Sequence, residues 1–378
     1  MVIGFDAKHM LEEEGILGYY GRVAVEALTE HYHHNDYILY TSGDTDDTNI
    51  IGNLLVHSSV HLKMPHGASL SERLSKWKGL LQATRRHGVQ VFHGLSATLP
   101  SGIEKTGMAT VVTVGSLLHK HYPERYSFLE RHRINKQFRS TFKEADAVIA
   151  MSEFSKRELI DFYHVPEEKV RVIMPVSESV FSSTLTDEAR DVFRQKYKLP
   201  EKYILVPGRF DERNNMKVAL EAMANLADRE LCMVVIGHRN DYYRALKHRA
   251  SQLGLGGRVV RVKATYNAPV HAVYAMAAAV AYPSVYESVS LPILRSLSCG
   301  TPVVAAKGSC MEEFGGDAAL YFRPDSAEEL ADALSRALGP ERARLLEAGK
   351  AQNKKFTAER MARQLDDLYR ELRSQKSM

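Results

Sequence analysis

Cysteine is scarce in this chain of 378 residues: Cys232, Cys299 and Cys310 are the only three. None stands at a spacing that would build a metal site or a disulfide framework, so they read as reduced, buried thiols of a cytosolic protein. Long apolar runs are missing as well. The opening Met1-Val-Ile-Gly-Phe5 has no basic stretch before it and charges soon follow, so neither a signal peptide nor a spanning helix is expected. A dominant charge sign is also absent. Fifty Lys and Arg against 46 Asp and Glu leave a net +4, too little to call for nucleic acid, although it suits an anionic membrane face. No G-x-G-x-x-G with a ribose-binding acid follows a strand, which sets the dinucleotide oxidoreductases aside.

What is present is ordinary for a globular protein, with 44% hydrophobic and 25% charged residues. The length allows two or three domains, each with its own core. Apolar stretches at 2–6, 36–40, 89–93, 110–114, 147–152 and 169–173 predict strands, with helices between them. A polar segment from Ser182 marks a boundary. The alternation then begins again: strands at 203–206, 232–237, 259–262, 280–282 and 303–305, helices at 215–227, 241–253, 268–277 and 291–298. Strands alternating with helices imply parallel sheets covered on both faces. The α/β class follows, as two Rossmann-like doubly wound domains. Residues 357–375 show the spacing of a last amphipathic helix.

The densest chemistry lies in Tyr282-Pro-Ser-Val-Tyr-Glu-Ser-Val-Ser-Leu-Pro-Ile-Leu-Arg-Ser-Leu-Ser-Cys-Gly-Thr-Pro-Val-Val-Ala306. A strand, a small-residue loop, a helix with Pro292 in its first turn and a second strand follow one another, with Val303 and Val304 in sheet core and Cys299 beside them. Such units place loop amides and a helix N-terminus where an anion can sit. On spacing alone, Glu287 is a solvated loop acid.

This stretch resembles the donor-site signature of family 4 (group 1) glycosyltransferases, the retaining GT-B enzymes. Pro283, Ser284, Tyr286, Glu287, Pro292, Gly300, Pro302, Val303 and Val304 match it. Gly308-Ser-Cys-Met-Glu-Glu-Phe-Gly-Gly316 and Phe92-His-Gly-Leu-Ser96 resemble further runs of one bacterial branch. The resemblance implies GT-B architecture with an interdomain cleft. It divides the chain into an acceptor-side domain (1–178), a donor domain (185–356) and a helix crossing back (357–378). It implies Glu287 as catalytic residue. Gly18, Arg209, Arg213, Ser288, Val289, Ser290, Leu291 and Arg295 would meet the donor, and Tyr20 and His93 the acceptor. The donor would be a nucleotide-sugar, with no metal or other cofactor, and the acceptor a glycan or lipid-linked glycan. Location would be cytoplasmic, with peripheral contact at the inner membrane face. The basic helix that carries Arg131, Arg133, Lys136, Arg139 and Lys143 reads as a solvated face or as that contact.

Several family positions are altered. The second Glu is Arg295, the Lys of the phosphate loop is Asn214, and a His-Asp pair is Gly115-Ser116. The first glycine of the N-terminal loop is Ile16, and Gly-Phe-Gly has become Ser288-Val-Ser290. Arg accepts no hydrogen bond, and Gly offers no proton. Two readings follow: a transferase of surface polysaccharide or lipopolysaccharide assembly, or a binding or partner protein that kept the fold without the chemistry.

Overall fold

A computed structural model describes residues 1–11, 15–41, 48–63, 76–95, 97–263 and 270–377. Ser96 and the first two residues of the helix expected at 268–277 lie outside the described residues. The chain divides into two compact units, Met1–Val176 with Thr357–Met378, and Ser177–Phe356.

The first unit is built on a seven-stranded parallel sheet of order β3-β2-β1-β4-β5-β6-β7. Its strands are β1 (Val2–Asp6), β2 (Asp36–Tyr40), β3 (Val60–Lys63), β4 (Val91–Gly94), β5 (Ala109–Val114), β6 (Ala147–Ala150) and β7 (Val170–Val172). The second unit holds a six-stranded parallel sheet of order β10-β9-β8-β11-β12-β13. It comprises β8 (Tyr203–Val206), β9 (Cys232–Ile236), β10 (Val259–Val262), β11 (Ala279–Tyr282), β12 (Val303–Ala306) and β13 (Ala319–Phe322). β5, β8 and β12 are buried along their whole length, as near-continuous apolar strands covered on both faces must be. Val303 and Val304 are fully buried, each contributing about 1.5–3 kcal/mol. Cys299 is only half-buried because it lies in the last turn of its helix; of the three free thiols, Cys310 alone is buried. That corrects the expectation for Cys232 and Cys299.

Five helices bear on function: α1 (Ile16–His31), α2 (Phe128–Glu144), α3 (Glu153–Tyr163), α4 (Leu291–Cys299) and α5 (Ala358–Ser377). Local chemistry sets their ends. Ser127 and Glu130 form a reciprocal capping box on α2, Ser152 caps α3, and Gly300 closes α4 in the left-handed region. The polar stretch after Ser182 is less of a linker than its composition suggests. Thr186 caps a helix over Asp187–Tyr197. α5 belongs to the first unit, where it packs on α1 and hydrogen-bonds Asn35 through Asp366 (3.0 Å).

In both sheets the strand order reverses beside the first strand, between β1 and β4 and between β8 and β11. Loops leaving the carboxyl ends of those strands diverge there, which opens the crevice where ligands of such sheets bind. The candidate site residues cluster at these two places.

Candidate functional site

In the second unit, the loops after β8 and β11 are laced together. The Val285 amide donates to the Arg213 carbonyl (3.0 Å), and Arg213 Nη1 donates to the Tyr286 carbonyl (2.8 Å). Arg213 also forms an ion pair with Glu287 Oε1, the two side chains being 16% and 15% exposed. Ser284 Oγ donates to the same carboxylate oxygen (2.8 Å), and the Glu287 amide donates to Ser309 Oγ (3.2 Å). The solvated acid expected from spacing is therefore a half-buried carboxylate held by Arg213 and Ser284, with its backbone amide tied to Ser309. Burial opposes the charge of Arg213, but Glu287, Tyr282 and Asp211 outweigh it, and its pKa ends above the ordinary value. Tyr282 is fully buried, and its pKa is driven well up by burial first and by Glu287 second.

Asn214 takes the place where the resemblance has lysine, and it cannot reach a ligand. It is buried, and both its amide (3.0 Å) and its side-chain Nδ2 (2.8 Å) donate to Asp211. Gly208 makes this fold possible: with φ +127°, a Cβ there would lie 2.5 Å from the Asn214 oxygen. Arg209 is the exposed cation of the loop.

Ser288, Val289 and Ser290 are buried and Leu291 half-buried, at the start of α4. Ser290 is the N-cap residue without a side-chain cap, and among the described residues its buried hydroxyl has no partner. Arg295, one turn further on, is spent on another contact. Its Nε donates to Glu178 Oε2 (3.1 Å), its Nη2 pairs with Oε1, and its guanidinium lies 4.9 Å from the centre of the Phe181 ring. Sequence reasoning missed Glu178, Ser309 and Asp211. The Pro-Ser-x-Tyr-Glu motif pointed at Ser284, and the run from Gly308 to Gly316 contained Ser309, in the left-handed region at φ +52°, without showing that it meets the Glu287 amide.

In the first unit, three of the expected site residues are packed inward. Gly18 lies inside α1, not in a loop, and is buried. A Cβ there would overlap the His9 carbonyl oxygen, so the glycine serves close packing of α1 on the turn Lys8–Leu11. Tyr20 and His93, expected to face an acceptor, have no exposed surface. His93 bonds Tyr369 on α5 through Nδ1 and Thr113 on β5 through Nε2, both at 2.7 Å. Burial pushes its pKa down to about 3, so the ring is neutral. It is a strut between helix and sheet. The Tyr20 hydroxyl faces Thr113 without completing a bond of normal geometry, and burial holds its pKa well above the ordinary value.

Gly115 stands where the resemblance has histidine. A Cβ on it would come within 2.8 Å of Leu17 and 3.2 Å of Ile16. The first turn of α1 thus fills the space that a side chain at 115, just past the end of β5, would need. Ser116 caps the next turn, its Oγ accepting from the Leu118 amide (3.2 Å). Among the described residues, no group of three or more His, Cys, Asp or Glu could hold a metal ion.

Two family models match the chain: "Glycosyltransferase Family 4" over residues 22–175 and "Glycosyl transferases group 1" over residues 188–355. The chain is similar to the O-antigen chain mannosyltransferase B of Escherichia coli, 25% identical over 299 residues and covering 76% of each protein. Among solved structures, a glycosyltransferase of Rickettsia africae superposes with a TM-score of 0.77 at 18% identity, over 98% of both chains. HepE of Anabaena, solved in complex with UDP, gives 0.74 at 17% identity, over 97% of this chain and 98% of that one. At such identities these two likenesses establish the fold, the GT-B architecture.

Proposed function

The chain belongs to the group 1, family 4 glycosyltransferases, and from that membership we propose that it moves a sugar from a nucleotide-sugar donor to a glycan acceptor in surface polysaccharide or lipopolysaccharide assembly. The observation that carries the reading is Glu287, whose carboxylate is held by Arg213 and Ser284 and whose amide is held by Ser309, at the strand-order reversal of the second sheet. An exposed Arg209 sits on the neighbouring loop, and the start of α4 follows the carboxylate. A departing diphosphate needs cations or amides preorganised to receive its charge. Arg209, the first amides of α4 and the unpartnered Ser290 hydroxyl are suited to that task, and Glu287 to holding the sugar. Arg213 then acts through Glu287 and not on the diphosphate. The likeness to an O-antigen mannosyltransferase supports the polysaccharide assignment.

The same proposal includes a retaining outcome, a lipid-linked acceptor, a site at the cytoplasmic membrane face and no need for a metal. No described helix is long and apolar enough to cross a membrane, so contact there would be peripheral. Calorimetry against a panel of UDP- and GDP-sugars tests the reading. One donor should bind saturably, and Arg209→Ala should weaken it by about 1.5–3 kcal/mol, the scale of a charged hydrogen bond. Turnover with that donor should survive EDTA, and Glu287→Gln should lower turnover more than binding.

One set of observations favours the second reading, a partner protein without transfer. Arg213 and Arg295 are both paired with carboxylates, Asn214 is folded into its own loop, and the space beside Gly115 is filled. Wild-type protein that binds no nucleotide-sugar at millimolar ligand would decide for it.

A further inference from the structure

The stretch from Leu118 to Glu144 holds seven Lys or Arg and three Glu, a net +4, which is the formal charge of the entire chain. The rest of the molecule is neutral in sum, so its basic character is concentrated in 27 residues. Most of them form α2. Set out at about 100° per residue, its positions separate cleanly. Ile134, Phe138, Thr141 and Phe142 turn inward, and Phe142 joins the core of the first unit with Phe138 packed against it. The outward sector, roughly 140° wide, presents Phe128, Leu129, Arg133, Lys136, Arg139 and Lys143, all exposed, and no acid. Glu130 lies outside that sector and is consumed by the cap, while Glu144, at its margin, accepts from Ser140. Among the described residues, none of the four cations forms an ion pair.

Phe128 and Leu129 are 73% and 78% exposed. They occupy the first turn of α2, and the Ser127–Glu130 capping box fixes where that turn begins. Two large apolar side chains beside four unpaired cations form a composite surface. Phosphate backbones of nucleic acid would satisfy the cations and leave the apolar pair in water. An acyl layer beneath anionic headgroups satisfies both, with the long cationic side chains reaching the headgroup level.

We propose that the outer face of α2 is a docking surface for an anionic lipid bilayer, with Phe128 and Leu129 inserting and Arg133, Lys136, Arg139 and Lys143 pairing with headgroups. This deepens the membrane side of the functional reading and rests on it, but not on the transfer chemistry. It locates the contact on the first unit, the one proposed to receive the acceptor.

Vesicle flotation of the full chain tests it. Phosphatidylcholine vesicles containing phosphatidylglycerol should float the protein, pure phosphatidylcholine should not, and high salt should release it. Lys136→Glu with Arg139→Glu should abolish flotation, since each cation is worth roughly a fivefold change in partitioning. Phe128→Ser with Leu129→Ser should weaken it at least tenfold while leaving binding to heparin unchanged. Both double variants alter exposed side chains and should melt like wild type. Equal flotation on neutral vesicles, or flotation that neither double variant disturbs, would overturn the proposal. So would a dimer in gel filtration that the serine pair converts to monomer, because the surface would then belong to a second copy. Absence of nucleotide-sugar binding would bear on the transferase reading and leave this measurement unaffected.

Discussion

Arg213 and Glu287 share one oxygen contact under partial cover, and that geometry decides what each can do. Partial burial weakens the hydration of both charges, so each relies on the other to offset that loss. Removing one leaves the partner charged and poorly solvated. Arg213→Met or Glu287→Gln should each lower unfolding stability by about 2–4 kcal/mol. The combination should cost clearly less than the two losses added together, because no orphan charge remains. Urea denaturation of the four proteins measures this; strictly additive losses would mean that the pair is not coupled. The same logic applies to Arg295 and Glu178, a two-point fork stiffened by the Phe181 ring. In both pairs, an arginine that the sequence offers to a ligand is neutralised by a carboxylate from elsewhere in its own unit. Sequence shows the cations. It does not show the acids that claim them, which lie 74 and 117 positions away.

At the scale of elements, α1 and β5 are fitted to one another through Gly115. Its hydrogen occupies the gap left by Ile16 and Leu17, and interiors this dense tolerate little added volume. Gly115→Ala should therefore destabilise by about 1–3 kcal/mol through overpacking. Leu17→Ala placed on top of it should recover part of that loss. Thermal melts of the two variants and their combination measure the effect, and a Gly115→Ala protein as stable as wild type would show that α1 yields easily. Restoring a histidine at 115 by itself is accordingly a steric insult. Most strands, and the helices beside the motifs, were legible from apolar runs and caps because those signals are local. β3, β13 and the helices over Lys76–Arg86, Asp187–Tyr197, Ala327–Leu338 and Arg342–Asn353 were not. β3 is short and half-exposed, and the helix over Asp187–Tyr197 has a polar composition with no buried residue to reveal its period.

At the scale of the molecule, the end of the chain completes its beginning. α5 joins the first sheet through Tyr369 and His93, and further through Lys376–Asp146 (2.9 Å) and Arg171–Glu371 (3.0 Å). His93 makes that attachment sensitive to acid. Its folded pKa, about 3, lies below its ordinary 6.5 because of burial. Between those values the unfolded chain binds a proton that the folded chain refuses, so stability present above pH 6.5 is lost as pH falls toward 3. His119, lowered to about 4 by burial and then by Lys120, acts in the same direction. Urea midpoints measured from pH 7.5 to 4.5 should fall, and His93→Gln should flatten the slope by up to about 1.4 kcal/mol per pH unit. Identical slopes for the two proteins would place the acid sensitivity elsewhere.

The sequence by itself determined the α/β class, the doubled alternation of strands and helices, and the family, because apolar period, caps and short motifs are properties of neighbouring residues. Tertiary structure alone decided which motif residues remain available. Gly18, Tyr20 and His93 are enclosed, Asn214 is folded onto Asp211, and Arg213 and Arg295 are bound to Glu287 and Glu178. The physical reason is that exposure and charge pairing depend on segments far apart in the chain. A motif fixes the type of a side chain, and only packing fixes whether that side chain still has a free face.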